Sequence, residues 1–230
     1  MAYPYPGPLQ SNTRNAKEPL YPETVLNYDR EAASYDESRG GLPRARAAAQ
    51  AVHDLVGTGM LAGQAAHGLP GEGTLLDIAC GTGLVSRELA GLGLRVLGVD
   101  ASAGMAGVAA GRIDVVLGDG RRLPVRDRSV DAVTTIWLLH LLDDARPVIA
   151  EAARVLRPGG VFVTTVDKRA AHGPGGRQDP PDRAELVVEV AAGHGLVLSG
   201  EARFAGHGQG RDGAADPVFR LLAFTASGER

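Results

Sequence analysis

Apolar residues along the chain fall into two alternating kinds of pattern. Near-continuous apolar runs at residues 74–79 (TLLDIA), 95–99 (RVLGV), 114–118 (DVVLG), 130–137 (VDAVTTIW) and 161–166 (VFVTTV) suit strands buried on both faces of a parallel sheet. Between them, residues 84–92, 103–111 and 143–156 repeat apolar positions at helical spacing and have the length of crossover connections. Residues 183–192 predict one more helix, followed by LVLSGEARF and VFRLLAFTA. These last two runs are joined by FAGHGQGRDGAADP, which has no helical segment, so an antiparallel hairpin is expected there. The result is an α/β, doubly wound, Rossmann-like sheet in one domain, residues 23–230.

Ahead of the first strand, helical spacing covers residues 23–39 and 43–56, with Pro43 suited to a first helical turn. Residues 1–22, opening on MAYPYPGPLQ, are expected to be a flexible arm, since Pro and Gly recur in it. The Gly- and Ala-rich stretch 57–73 is expected to be a surface loop.

Composition narrows the function classes. A net charge of −3 and a pI near 6.1 leave no basic stripe for nucleic acid. Cys80 is the single cysteine, so no disulfide closes within the chain, and the N-terminus lacks the pattern of a signal or membrane-spanning segment. A cytoplasmic protein acting on a small molecule is expected, with a homodimer left open. The histidines at 53, 67, 172, 194 and 207 have no metal-ligand spacing, and no metal is expected.

The candidate chemistry begins where the first strand ends, at Asp77-Ile78-Ala79-Cys80-Gly81-Thr82-Gly83. Glycines there allow a ligand close to the backbone at the carboxyl edge of the sheet. Asp100 closes the second strand, where a carboxylate can accept hydrogen bonds from both hydroxyls of a ribose. Asp119, after the third strand, is placed to accept from an adenine amine, with the Gly120 N–H toward a ring nitrogen. The nicotinamide fingerprint asks for Gly or Ala where Ser86 stands, which counts against a dinucleotide. LRPGG, residues 156–160, predicts a tight turn into the fifth strand.

On LLDIACGTG, VLGVDAS, GDGRRLPVRDRSVDAV, WLLHLLDD and VLRPGGVFV, the sequence resembles the class I S-adenosylmethionine-dependent methyltransferases, in the small-molecule branch that includes the ubiquinone and menaquinone methylases. The resemblance implies strand order 3-2-1-4-5-7-6 with strand 7 antiparallel. It implies S-adenosyl-L-methionine as cofactor and S-adenosyl-L-homocysteine as product. Asp77, Ala79, Gly81 and Gly83 would surround the methionine end, Asp100 and Ala101 the ribose, and Met105, Asp119 and Gly120 the adenine. The N-terminal helices would form a lid, with Tyr28 and Tyr35 at the cofactor and Arg39 on the methionine carboxylate. Trp137 would wall the acceptor pocket, and His140, just past the fourth strand, is the candidate general base. Taken singly, each residue has a plainer role: Asp77 as a turn cap, Met105 and the tyrosines as packing, His140 as pocket lining. Cys80 fits as a small residue of the turn. Two other readings stay open, a cofactor-binding protein without turnover and a nicotinamide-dependent oxidoreductase.

Overall fold

A computed structural model describes residues 27–62, 73–172, 180–210 and 215–228. Seven strands form one sheet in the order β3-β2-β1-β4-β5-β7-β6. They are β1 (Thr74–Ile78), β2 (Arg95–Asp100), β3 (Asp114–Leu117), β4 (Val130–Thr135), β5 (Leu156–Val166), β6 (Leu196–Ala205) and β7 (Val218–Ala226). The first five pair in parallel, and β7 runs antiparallel to both β5 and β6. The crossover helices and the terminal hairpin thus follow the hydrophobic pattern. The expected arm, residues 1–22, and residues 63–72 of the 57–73 stretch lie outside the described residues.

Each face of the sheet carries its own core, because successive strand side chains point to opposite faces. Leu76, Ile78 and Val133 pack under α6 (Arg146–Val155) and α7 (Ala184–Gly193) through Val148, Ile149, Ala152, Val187 and Ala191. On the other face Leu75, Val163 and Phe219 meet α3 (Gly41–Ala62) through Ala48, Ala49, Val52 and Val56, and α4 (Leu84–Gly91) through Leu89.

Three local expectations change. Of the predicted helix over 23–39, residues 23–26 lie outside the described residues, and the rest is two single turns, α1 (Tyr28–Glu31) and α2 (Tyr35–Ser38), ended by Gly40 and Gly41 at φ 85° and 52°. Next, α3 continues to Ala62, into the stretch expected to be a loop. A Cβ on Gly59 would stand 2.7 Å from a Val161 methyl, so this glycine serves close packing of helix on strand. Finally, LRPGG is a bulge inside β5: pairing jumps from Val130–Leu156 to Ala132–Val161. Arg157 reaches back to Asp131 at 2.6 Å, and Gly160 has backbone carbonyls 2.9 Å from where a Cβ would be.

Candidate active site

The carboxyl ends of β1, β2 and β4 open into a cavity of about 240 Å³. Its floor is the glycine turn. Gly81 and Gly83 lie at φ 57° and 74°, and Ala79 shares the left-handed region at φ 58°. A Cβ on Gly81 would meet nothing within 4 Å, whereas one on Gly83 would press on Ala109 and Ile113. One glycine faces open space and the other allows packing onto α5 (Ala103–Ala109).

Two carboxylates form the wall on the β1/β2 side. Asp77 is 3% exposed and accepts from Ser86 Oγ at 2.5 Å. Burial pushes its carboxyl up to about 7, against the lowering pull of Ser86 and with a further raise from Asp100. Ser86, which marks the departure from the dinucleotide fingerprint, is therefore the residue that orients Asp77. Asp100 accepts from the Gly81 N–H at 2.7 Å and the Ser102 N–H at 2.8 Å. Burial holds its carboxyl above the usual range although those amides favour the charged form. Cys80 is buried, and burial followed by Asp77 and Asp100 pushes its thiol up, leaving no thiolate to act as nucleophile.

A short cover closes over these groups. Tyr28 and Tyr35 line the cavity with ring centroids 6.2 Å apart. Each is followed by an aspartate that fastens the cover to the sheet side. Asp29 accepts from Ser102 Oγ at 2.6 Å and the Gly104 N–H at 2.9 Å. A Cβ on Gly104 would stand 2.6 Å from the Asp29 carbonyl oxygen, so α1 docks there because residue 104 is glycine. Asp36 accepts from Thr82 Oγ1 at 2.5 Å and pairs with Arg112 at 2.7 Å. The doubled Tyr-Asp pair was the available signal for these anchors, yet their partners, Ser102, Thr82 and Arg112, carry no mark of the role in the sequence.

The methyltransferase-domain family matches residues 76–164, the stretch holding the glycine turn, Asp77 and Asp100. Over this stretch, less than half of the chain, the protein is similar to a methyltransferase domain. The demethylmenaquinone methyltransferase of Renibacterium salmoninarum is 38% identical over 109 residues, 46% of this chain and 46% of that protein. That of Corynebacterium glutamicum is 44% identical over 94 residues, 40% of each chain. The chain thus matches less than half the length of these curated relatives. Among solved structures, the 4+2 cyclase SpnF superposes with a TM-score of 0.64 at 22% identity, covering 87% of this chain and 94% of that one. A geranyl diphosphate methyltransferase in complex with its diphosphate and sinefungin gives 0.57 at 18%, covering 78% and 76%. At those identities the structures speak for the fold alone, a seven-stranded sheet in the order β3-β2-β1-β4-β5-β7-β6, and the sequence matches make part of the chain similar to the demethylmenaquinone methyltransferases.

Within the sheet edge and its cover, Tyr28, Tyr35, Arg39, Asp77, Ala79, Gly81, Asp100, Ala101, Met105 and Trp137 all line the cavity. Gly83, Asp119, Gly120 and His140 are not in its lining. Asp119 is half-exposed and clasped by Arg121, whose Nε and Nη2 lie 3.0 and 2.7 Å from its oxygens. A Cβ on Gly120 would press on Ile78 at 2.6 Å, so that glycine serves packing. His140 sits in a single 3-10 turn, Leu139–Leu141, with Nε2 3.0 Å from Lys168 Nζ. While Lys168 is charged it can only donate, which engages the Nε2 lone pair a general base would use. Two other residues were not legible beforehand. Arg44 lies with its guanidinium 3.4 Å over the Trp137 ring, and Thr165 Oγ1 accepts from the Trp137 N–H at 2.7 Å, holding that tryptophan at φ 58°. Such a conformation is costly for a bulky residue and persists where neighbours enforce it.

Among the described residues no three His, Cys, Asp or Glu side chains cluster as a metal site, and no helix is long and apolar enough to cross a membrane.

Proposed function

We propose that this protein transfers the methyl group of S-adenosyl-L-methionine to an oxygen or nitrogen nucleophile of a small organic molecule, in specialised or quinone-type metabolism, as a cytoplasmic enzyme releasing S-adenosyl-L-homocysteine. The observation that carries the reading is Asp100. It ends β2 in the cavity wall, two backbone amides fix its orientation, and its remaining lone pairs are available to ribose hydroxyls. The open space in front of Gly81 is the complementary feature, a cradle that a side chain would fill.

Asp77, oriented by Ser86, is suited to the ammonium of the methionine end, and Met105, 2% exposed and lining the cavity, to packing against the adenine. When bound, S-adenosyl-L-methionine supplies a methyl group already made electrophilic by its sulfonium. The chain's task is then to align the acceptor and keep water out. Alignment and avoided solvent reorganisation lower such barriers by roughly 7–11 kcal/mol in favourable cases. Tyr28 and Tyr35, held down by Asp29 and Asp36, are placed for that work. Incubation of the full chain with isotopically labelled S-adenosyl-L-methionine and a metabolite collection tests the reading by intact mass. A labelled methyl product with stoichiometric S-adenosyl-L-homocysteine is expected; binding without any transfer would leave a cofactor-binding protein instead.

A further inference from the structure

Asp100 is held by two turns, and the cover is fastened to the same two. Its Oδ2 accepts from the N–H of Gly81 in the glycine turn, and its Oδ1 from the N–H of Ser102, which caps α5. Thr82, next to Gly81, donates its hydroxyl to Asp36, and Ser102 donates its own to Asp29. Arg112 strengthens the first tie, with Nη1 3.0 Å from the Thr82 carbonyl and 2.7 Å from Asp36 Oδ2. The segment that carries Tyr28 and Tyr35 therefore bridges both turns that orient Asp100.

Ser102 is the tighter of the two pivots. Its N–H goes to Asp100, its hydroxyl proton to Asp29, and its Oγ accepts from the Met105 N–H. With both donors committed, Ser102 cannot turn without loosening one of the two carboxylates. Asp29 is exposed and does not line the cavity, whereas Ser102 does, so whatever Asp29 does for a ligand passes through Ser102. The seat is also steric: Gly104, in the first turn of α5, has the Asp29 carbonyl oxygen 2.6 Å from where a Cβ would be. Burial pushes the Asp100 carboxyl up, the amides of Ser102 and Gly81 pull it down, and the Asp29 charge pushes it up again. By charge alone, then, Asp29 makes Asp100 a poorer acceptor; by geometry it fixes the amide that aims Asp100.

We propose that Asp29, acting through Ser102, is a positioning residue for ribose recognition, so that the seating of the cover sets how tightly Asp100 holds the ribose of the cofactor. The cover and the ribose site then engage and let go as one unit. This rests on the methyl-transfer reading and adds a route for product release: lifting α1 off Gly104 loosens Asp100 at the same moment and frees S-adenosyl-L-homocysteine.

Calorimetry on the full chain with S-adenosyl-L-homocysteine and its 2′-deoxy analogue reads the ribose preference as a ratio of two affinities. The parent is expected to favour the ribose form about tenfold or more, as one hydrogen bond to a charged group allows. Asp29→Ala, which removes an exposed side chain, should lower that ratio at least about threefold, with Ser102→Ala doing the same and Ser102→Thr, which keeps the hydroxyl, restoring it. Gly104→Ala leaves every polar group in place and lifts α1 by its methyl alone; it should lower the ratio as well. In an Asp100→Ala background, Asp29→Ala should change the ratio no further. A cover that only shields the ligand would weaken both nucleosides alike and leave the ratio unmoved, and a purely electrostatic Asp29 would raise the ratio on removal. Either result in Asp29→Ala overturns the proposal while leaving methyl transfer standing. Absence of S-adenosyl-L-homocysteine binding to the parent would overturn the methyl-transfer reading and this inference with it, and a parent that binds both forms equally would overturn the ribose assignment on which the inference depends.

Discussion

The two walls of the cavity differ in how they are built. On the β1/β2 side, Asp77 and Asp100 come from the last residues of adjacent strands, and backbone amides together with Ser86 hold them. On the opposite side, Arg44 comes from α3 and Trp137 from beyond β4, and guanidinium and indole hold one another. The first wall is made of the fold itself and suits a ligand shared by a whole family. The second is assembled from residues distant in the chain, so it can vary without disturbing the sheet, as an acceptor site must.

The largest effect expected from breaking this contrast is at Asp100. Asp100→Ala removes an acceptor for two ribose hydroxyls, each bond to a charged group being worth about 1.5–3 kcal/mol, so affinity for S-adenosyl-L-homocysteine should fall at least about a hundredfold by calorimetry. An unchanged affinity in the folded variant would remove the ribose assignment.

Asp77 sharpens the comparison through pH. Its folded carboxyl lies at about 7 against an ordinary 3.8, so the folded state binds the extra proton between those values. Its contribution to stability is full below about pH 4 and is lost as pH rises through about 7. Asp77→Asn keeps an acceptor for Ser86 without the buried charge. Its melting temperature without ligand should match the parent near pH 4 and exceed it by several degrees at pH 8, a gain on the order of a few kcal/mol. A difference independent of pH would contradict the assignment.

The first wall was legible in the sequence because its residues are contiguous: a strand, a glycine turn and an acid at the next strand's end carry their geometry in their order. Asp119 has the same kind of position, but Arg121 two residues on captures it, a local competition that spacing does not reveal. The cover was legible in part. The Tyr-Asp pairs could be seen, but not the break after Glu31 that turns one expected helix into two turns, each preceded by a capping-type residue, Asn27 and Ser34. The second wall was illegible except for Trp137, since nothing in the order of residues brings Arg44 over an indole.

Smaller effects follow at the margins. Asp36→Asn cuts the tie from the cover to Arg112 and should speed release of S-adenosyl-L-homocysteine by about threefold to tenfold in stopped-flow displacement, consistent with a partly buried pair worth about 1 kcal/mol. An unchanged release rate would mean that Asp29 holds the cover alone. Asp119→Ala should alter the same affinity by no more than about twofold, as expected for an exposed ion pair. A tenfold loss would show that Arg121 releases the carboxylate to the adenine when ligand binds.

A crystal structure of the protein with S-adenosyl-L-homocysteine tests the central division most directly. The account predicts ribose hydroxyls within hydrogen-bond distance of Asp100, the methionine end over Gly81 beside Asp77, and the space beside Trp137 and Arg44 left for the acceptor. A ligand lying along the wall of Trp137 and Arg44, with its ribose away from Asp100, would contradict it.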